Sequence, residues 1–416
     1  MSLLRRSIHA KPLSKWNFFK KFPQVPVLAG RDLFSRVCIM KPRTHRLATL
    51  LLSFGFLLSA CSKKQESGIP VGQFASLTGP QATFGQSTDK GVQMALGEIN
   101  GAGGVLGQPI RVITKDNQSK PGETSTAVRE LITRDRVVAL IGEVASGRSL
   151  EAAPIAQRSG IPMISPASTN EKVTETGDHI FRVCFIDPFQ GTVCAKFAHK
   201  LGATKAAILT DVSKDYSLGL AKSFKDEFIK EGGVITGTQS YSGGDKDFSA
   251  QLTAIKAGNP QVVFLPAYYT EAPLIIRQAR QLGITVPFIG GDGWDSPELV
   301  AVGGASVEGC YFSNHFSNQS TDPKVMAFVD AYRKKYNQDP DAMVALGYDA
   351  LYLLADAMKR AGTTDPAKVN AAIAATKDFP GVTGKITLDE HRNPNKPAVM
   401  LAVKNGKFTY VETIAP

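Results

Sequence analysis

The sequence predicts an α/β protein with two lobes, each built on a doubly wound parallel sheet. From Ile69 onward, short β-rich runs alternate with amphipathic helices, which is the pattern of parallel strand–helix–strand units. Residues 137–141 are continuously apolar, as expected of a strand that is covered on both faces. The alternation supplies more strands than one compact domain needs, so we expect two successive lobes with a boundary near Asp187-Pro188.

The individual elements follow from local periodicity. Residues 89–99 repeat apolar side chains at positions i, i+3, i+4 and i+7, which predicts one face of a helix. Residues 324–376 are expected to be mainly helical, with apolar runs inside them. The predicted strands are residues 71–75, 110–114, 137–141, 161–164 and 180–183 in the first half, 206–209, 234–238, 262–265 and 288–289 in the second, and 385–388, 399–403 and 408–411 in the tail.

The N-terminal region has the pattern of an export signal. A basic stretch after Met40 is followed by an uncharged apolar run of about 14 residues, which suits a signal-peptide core and is too short to span a bilayer. Small residues then precede Cys61, as at a lipoprotein cleavage site. We expect a lipoprotein signal peptide over residues 40–60, a lipid anchor on Cys61 and a spurious extension over residues 1–39. An ordinary signal peptide with an incidental cysteine is the alternative.

The net charge of +11 lies almost entirely in the first 60 residues. They contain 11 Lys or Arg and one acid, Asp32. Of 48 basic and 37 acidic residues in the chain, 37 and 36 remain from Cys61 onward. A nearly neutral body has no electrostatic reason to hold a polyanion, so nucleic acid is excluded as a partner.

The spacing of the cysteines and the absence of known catalytic motifs argue against a metal site, a cofactor site and an enzyme. The sequence has no Cys-x-x-Cys, no Cys/His cluster, no P-loop, no Gly-x-Ser-x-Gly elbow and no His-Glu-x-x-His. Cys184 and Cys194 are ten residues apart, on a predicted strand and the helix after it. In an exported protein they can form a disulfide, and buried free thiols are the alternative. We predict no cofactor, no metal site and no enzyme.

Polar and aromatic residues follow the predicted strands, where ligands bind in open α/β sheets. The first half offers hydroxyls and helix N-termini, at Ser146 and in residues 165–170, and free backbone N–H groups there favour a carboxylate. The second half offers the rings of Tyr216 and Tyr268 and the carboxylate of Asp292, which suit apolar contact and an ammonium group. Together these residues predict a zwitterionic ligand with an apolar side chain.

Each of these residues also has a simpler explanation when taken alone. A serine after a strand is commonly a helix cap. A tyrosine pair is commonly part of the core or its rim, and Asp292 between glycines fits an Asx-type turn.

Seven segments, in their order and spacing, resemble the leucine/isoleucine/valine-binding proteins, the type I periplasmic binding proteins of amino-acid ABC importers. The resemblance covers nearly the whole chain from about Ile69 to the tail strands. It implies two doubly wound lobes joined by a multi-strand hinge. The first lobe would contain residues 69–187 and about 316–380, and the second would contain residues 188–315 and about 381–416. The seven segments are residues 76–85, 100–107, 141–146, 160–169, 245–248, 276–280 and 290–293.

The resemblance also implies which residues bind the polar ends of the ligand. Ser146 would bind the α-carboxylate, with help from the Thr169 backbone N–H. The Ala167 carbonyl and the Thr169 hydroxyl, on either side of Ser168, would accept hydrogen bonds from the α-ammonium. Asp292 would pair with that ammonium from the second lobe, although the family often has Glu at this position.

The rings are expected to surround the side chain of the ligand. The resemblance implies that Phe84 forms a side-chain wall and that Tyr216 and Tyr268 close over the ligand. Trp294 is a further large ring expected near the pocket. Phe84 stands where the branched-chain binders have Tyr, so the side-chain preference of this chain is open.

The function implied is that of a lipid-anchored, monomeric solute-binding protein in the periplasm or on the outer face of the cell membrane. It would capture an amino acid with a branched or similar apolar side chain and deliver it to an ABC permease. The alternatives are the same fold binding an amide or another small carboxylate, and a ligand sensor.

Overall fold

The computed structural model describes residues 68–416. The expected extension (1–39), the signal peptide (40–60) and the proposed anchor Cys61 lie outside the described residues. None of the helices within residues 68–416 is long and apolar enough to cross a membrane.

The strands and helices alternate along most of the described chain. The strands are β1 (Ile69–Ala75), β2 (Ile110–Asp116), β3 (Ala139–Ile141), β4 (Met163–Ser165), β5 (Ile180–Arg182), β6 (Lys205–Asp211), β7 (Val234–Tyr241), β8 (Val262–Phe264), β9 (Phe288–Gly290), β10 (Tyr311–Asn314), β11 (Phe379–Gly381), β12 (Gly384–Ile386), β13 (Ala398–Lys404) and β14 (Lys407–Ile414). The α-helices are α1 (Ala82–Gly101), α2 (Glu123–Thr133), α3 (Ser146–Arg158), α4 (Lys172–Glu175), α5 (Asp187–Lys200), α6 (Asp215–Lys230), α7 (Ser249–Ala257), α8 (Ala272–Gln281), α9 (Pro297–Gly303), α10 (Pro323–Tyr336), α11 (Ala342–Ala361) and α12 (Pro366–Ala374). Two short 3₁₀ turns cover Asp292–Trp294 and Gly304–Val307.

The first sheet is parallel and has the strand order β2-β1-β3-β4-β5. Within this order β1 lies between β2 and β3: Val71 pairs with Val112 on one side and Ala139 on the other. Val71 and Phe74 are fully buried and belong to different apolar clusters, because they point to opposite faces of the sheet. The predicted doubly wound arrangement, with apolar layers on both faces, is confirmed for this sheet.

The second sheet has the order β14-β13-β10-β9-β8-β6-β7. The strands from β6 to β10 are parallel, whereas β13 is antiparallel to β10 and β14 is antiparallel to β13. The tail therefore adds the hairpin β13–β14 to a parallel sheet, at two of the three strands that the sequence predicts for the tail; the third overlaps β12, which pairs with β11 in a separate two-stranded sheet. The alternation did not predict β10, which is an interior strand of this sheet between β13 and β9.

Each of these two sheets forms one lobe together with the helices that cover it. We use "first lobe" for the first sheet with α1–α4 and α10–α12, and "second lobe" for the second sheet with α5–α9. In the first lobe, α11 packs closely along α1. A Cβ on Gly91 of α1 would lie only 2.0 Å from the Val344 carbonyl oxygen of α11, so glycine permits the close contact between these helices.

The chain passes between the lobes at three places in the described range. These crossings are residues 182–187, 314–323 and 386–398. The buried ammonium of Lys396, in the third crossing, donates a 3.0 Å hydrogen bond to the Val183 carbonyl oxygen in the first crossing. Two of the crossings are therefore tied together, and the structure has the multi-strand hinge expected from the sequence.

Candidate functional site

The loops at the carboxyl ends of the two sheets meet in the space between the lobes. The Phe84 ring of the first lobe packs edge-on against Tyr268 and Tyr269 of the second, with centroid distances of 5.7 and 4.7 Å. The Asn170 side-chain amide donates a 2.8 Å hydrogen bond to the Asp215 carbonyl oxygen across the same space. A cavity of about 360 Å³, lined by residues of both lobes, opens beside these contacts.

One end of the site is the N-terminus of α3. Ser146 is the first residue of this helix and is buried, and its hydroxyl oxygen accepts a 3.3 Å hydrogen bond from the Asn170 backbone N–H. The Tyr268 hydroxyl of the second lobe faces the Ser146 backbone N–H. First-turn N–H groups and the helix dipole favour an anion here. The structure thus places Ser146 and Tyr268 together at a position suited to a carboxylate.

The turn after β4 supplies the neighbouring polar groups, and its residues have different roles. Ala167 is buried in this turn, and the Thr169 hydroxyl is buried with no hydrogen-bond partner in the described part of the chain. The Ser168 hydroxyl, by contrast, lies 2.9 Å from the Glu143 carbonyl oxygen and 2.7 Å from the Ser149 hydroxyl. Ser168 therefore holds the loop together. Its hydroxyl is engaged by the protein, although the sequence predicts that the hydroxyls of residues 165–170, that of Ser168 included, face a ligand.

The Asp292 carboxylate is fixed by two side chains, Gln190 of α5 and His315 of the second crossing. One oxygen accepts a 2.9 Å hydrogen bond from the Gln190 amide, and the other lies 3.1 Å from Nε2 of His315. Burial lowers the pKa of His315, and the Asp292 carboxylate acts in the opposite direction. A neutral His315 that carries its proton on Nε2 would donate to Asp292. The His315 ring also packs against Phe185 at a centroid distance of 3.7 Å, so the carboxylate has little freedom to move.

Asp187, the first residue of α5, is a second buried acid of the site, and sequence reasoning missed it. Its side chain is 1% exposed, and neither carboxylate oxygen has a hydrogen-bond partner within residues 68–416. Burial raises the pKa of Asp187 to about 8, with the nearby Thr169 hydroxyl acting in the opposite direction. A Cβ on Gly219 would lie 2.5 Å from Asp187 Oδ2, so α6 closes directly over this carboxylate.

Other buried polar atoms of the site, besides the two Asp187 oxygens, also have no hydrogen-bond partner in the described region. They are the Thr169 hydroxyl oxygen, Gln190 Oε1 and His315 Nδ1. Buried acceptors without donors are costly, by roughly 1–3 kcal/mol each, and a group that donates several hydrogen bonds would satisfy them. An ammonium group has three N–H donors and a positive charge that suits the two carboxylates.

Aromatic rings form the wall between the two polar ends. Tyr216 and Tyr268 are stacked at a centroid distance of 5.0 Å with an interplanar angle of 7°. The Tyr216 hydroxyl accepts a 3.1 Å hydrogen bond from the Gly293 N–H, which holds the ring beside Asp292. Together with Phe84, these rings offer apolar surface to a ligand side chain and π faces to a cation.

Trp294 does not belong to this aromatic wall. Its ring is fully buried in the core of the second lobe, packed against Gly290 and 6.2 Å from the Phe312 ring. Tyr216 and Tyr268 belong to a different apolar cluster, on the other side of the second sheet. The 3₁₀ turn that starts at Asp292 sends the two residues in different directions, so the expectation that Trp294 lines the pocket was wrong.

Of the two alternatives left open for Cys184 and Cys194, a disulfide or buried free thiols, the structure has the buried free thiols. Cys184 lies with its sulfur 3.3 Å from the Ser168 carbonyl oxygen, and Cys194 lies 3.3 Å from the Ser313 hydroxyl. Burial raises the pKa of each thiol to about 12, so both are unreactive packing residues.

Comparison with known proteins identifies relatives across nearly the whole described region. The model of the periplasmic binding protein family matches residues 68–407. The leucine-, isoleucine-, valine-, threonine- and alanine-binding protein of Pseudomonas aeruginosa is 31% identical over 375 residues, which are 90% of this chain and 97% of that protein.

Two solved structures share the fold at higher identity. The leucine-binding protein LivK of Thermotoga maritima is 40% identical with a TM-score of 0.81, covering 84% of this chain and 99% of that one. The branched-chain amino acid binding protein LivJ of Streptococcus pneumoniae, solved with isoleucine, is 37% identical with a TM-score of 0.79, covering 84% and 100%. The chain therefore belongs to the periplasmic binding protein family and has the type I fold of these relatives, as the resemblance predicted.

Proposed function

We propose that this chain is an extracytoplasmic solute-binding protein that captures a branched-chain or similar apolar amino acid and delivers it to an ABC permease. The observation that carries the proposal is the arrangement of one anion-binding helix terminus opposite two buried carboxylates, with aromatic rings between them. The α-carboxylate and α-ammonium of an amino acid match these two ends. The amino acids named in the descriptions of two relatives support the same class of ligand.

In the proposed complex the α-carboxylate binds at the first turn of α3 and replaces the Tyr268 hydroxyl at the Ser146 N–H. The ammonium lies near the Thr169 hydroxyl and between the carboxylates of Asp187 and Asp292. The Ala167 carbonyl oxygen is a further acceptor for it. The apolar side chain packs against the wall formed by Phe84 and the two stacked tyrosines.

Closure around the ligand explains how binding leads to delivery. The polar ends of the site come from different lobes, so an amino acid contacts both ends only when the lobes are closed. It therefore binds the closed form more tightly than the open form and stabilises closure. The closed protein presents a surface that a membrane permease recognises, and the protein performs no catalysis. We propose that it is a monomer held at the membrane by a lipid on Cys61, with lobe boundaries at the positions expected from the sequence.

A ligand screen tests the function. The purified protein is titrated with amino acids, amides and small carboxylates while its thermal unfolding is followed. A saturable rise in Tm with leucine, isoleucine or valine is expected, because a ligand that binds only the native state stabilises it. A response to amides or non-amino carboxylates alone would contradict the amino-acid assignment and remove the ammonium role from Asp292.

The Ser146→Ala variant tests the carboxylate end. Loss of a hydroxyl that supports a desolvated carboxylate costs about 1–3 kcal/mol, so we expect leucine affinity to fall by about 5- to 150-fold. Isothermal titration calorimetry measures this change. Ser249→Ala, at the first residue of another helix that lies outside the site, is the matched control and should leave affinity unchanged. Unchanged affinity in Ser146→Ala would contradict the site assignment.

Tyr269 is a latch between the lobes that does not depend on direct contact with the ligand. Its hydroxyl accepts a 3.1 Å hydrogen bond from the Thr83 N–H and donates a 2.9 Å bond to the Pro80 carbonyl oxygen, both in the first lobe. Removing these two bonds in Tyr269→Phe should weaken closure and lower leucine affinity by about 2- to 10-fold.

Small-angle scattering combined with calorimetry measures this effect. The ligand-free Tyr269→Phe variant should have a larger radius of gyration than the wild type, because more of it is open. Tyr410→Phe removes an exposed hydroxyl that hydrogen-bonds, among residues 68–416, to the nearby Thr413 and serves as the control. If Tyr269→Phe behaves like Tyr410→Phe in both measurements, the latch does not control closure.

A further inference from the structure

Glu143, in the loop between β3 and α3, has a carboxylate that joins three loops of the first lobe. One oxygen accepts hydrogen bonds from the Ser76 N–H at 2.9 Å, the Ser76 hydroxyl at 2.6 Å and the Asn117 amide at 3.1 Å. The other oxygen accepts a 2.6 Å bond from the Ala145 N–H. Ser76 and Asn117 follow β1 and β2, so this buried side chain connects the loops after three neighbouring strands.

The backbone of Glu143 reaches the fourth loop. Its N–H donates a 3.0 Å hydrogen bond to the Ser149 hydroxyl in α3, and its carbonyl oxygen accepts a 2.7 Å bond from the Ser165 hydroxyl. The Ser168 hydroxyl lies 2.9 Å from the same oxygen. One residue thus ties together the loops after β1, β2, β3 and β4, which form the first-lobe half of the site.

The contact with Ala145 has a direct consequence for ligand binding. Ala145 is the residue before α3 and has an extended backbone, with ψ of 124°. Because the Glu143 carboxylate takes its N–H, the chain enters the helix at a fixed angle. The next N–H along the chain, that of Ser146, faces the Tyr268 hydroxyl of the second lobe, a position that an acceptor of the ligand can take.

The carboxylate is held by neutral donors and not by an ion pair. Within residues 68–416, no salt bridge includes Glu143, which is 2% exposed. Burial raises the pKa of Glu143, and the hydrogen bonds from Ser76, Ala145 and Asn117 act in the opposite direction. A buried acid with this many specific donors orders its surroundings, because each donor loses a partner if the side chain changes.

We infer that Glu143 is a positioning residue for the carboxylate end of the binding site, acting through Ala145 and the first turn of α3. The inference rests on the proposed function, since it assigns to Glu143 the support of the helix terminus that would hold the α-carboxylate. Glu143 itself does not touch the ligand.

A double-mutant cycle between Glu143→Gln and Ser146→Ala tests the inference. The glutamine keeps the length of the side chain, but its amide turns a donor toward one of the N–H groups. We expect Glu143→Gln alone to lower leucine affinity by about tenfold or more, and the double variant to bind within about threefold of Ser146→Ala alone. A merely structural role would lower the Tm and leave the two effects on affinity additive.

The controls separate loss of folding from loss of positioning. Glu227→Gln alters another largely buried glutamate, in α6, which pairs with Lys230, and its effect should be additive with Ser146→Ala. If Glu143→Gln does not fold, Ser76→Ala replaces it in the cycle, because it deletes the hydroxyl contacts to Glu143 at 2.6 Å and to Asn117 at 2.8 Å but keeps the Glu143 carboxylate. It should show a smaller loss of affinity with the same non-additivity.

The two hypotheses fail in different ways. Wild-type protein that binds no amino acid would overturn the proposed function. Wild-type protein that binds leucine, together with an additive cycle or unchanged affinity in the Glu143 or Ser76 variant, would overturn the positioning role and leave the proposed function standing.

Discussion

Replacing Asp292 with alanine is expected to lower the affinity for leucine by about 5- to 150-fold, the effect of losing about 1–3 kcal/mol. The substitution removes a charged partner of the proposed ammonium. It also leaves the Gln190 amide and His315 Nε2 without their acceptor in a buried site. Calorimetric titration of both proteins with leucine measures the change.

Two further variants define what the Asp292 result means. Asp330→Ala removes an exposed acid of α10 and should bind leucine as the wild type does. Asp292→Asn keeps the shape of the side chain and one acceptor oxygen, so affinity intermediate between wild type and Asp292→Ala would separate charge from hydrogen bonding. Wild-type affinity in Asp292→Ala would show that the ammonium binds elsewhere.

Leucine affinity is also expected to rise with pH by up to about tenfold per unit between pH 6 and about 8, and to level off above that. Burial raises the pKa of Asp187 to about 8, so its carboxyl is mostly protonated at neutral pH in the free protein. Pairing with an ammonium requires the ionised form. Binding therefore releases a proton below pH 8, and raising the pH favours the complex.

The Asp187→Asn variant decides whether this residue causes the pH dependence. It should bind leucine weakly at pH 8 and show no slope between pH 6 and 8. Burial also lowers the pKa of Lys396 in the hinge to about 8, and Asp187→Asn retains that group. A slope that persists in Asp187→Asn would therefore exclude Asp187 as its cause and direct attention to Lys396 or to Asp295, another buried acid whose pKa is raised by burial. A flat wild-type profile would contradict the pairing of Asp187 with the ammonium.

Much of the fold follows from local pattern. Continuous apolar runs such as residues 137–141 are buried on both faces because helices cover both sides of a parallel sheet, and this alternation is visible without any structure. The strand β10 was not predicted, because Tyr311–Asn314 is short and half polar. Its burial comes from its neighbours β9 and β13, which only the folded sheet brings together.

The site was predictable to the extent that it lies at strand ends. Ser146, Thr169 and Asp292 each follow a strand, and parallel strands bring their carboxyl ends to one edge. Asp187 opens a helix and has the local appearance of an ordinary helix start. Its missing partners and its raised pKa arise from α6 closing over it, which is a tertiary effect. Trp294 was misplaced because the direction of one short turn decides which side of the sheet a ring faces.

The three crossings between the lobes also constrain the order in which the chain can fold. Each lobe is assembled from segments far apart in sequence: Tyr348 of α11 donates a hydrogen bond to Glu98 of α1, 250 residues earlier. A nascent chain that ends before Ala342 lacks the helix that covers α1, and one that ends before Ala398 leaves the edge of β10 unpaired. Such a topology delays completion of the first core until α11 has been synthesised and of the second until β13 has been synthesised, and contacts between segments so far apart in sequence form slowly.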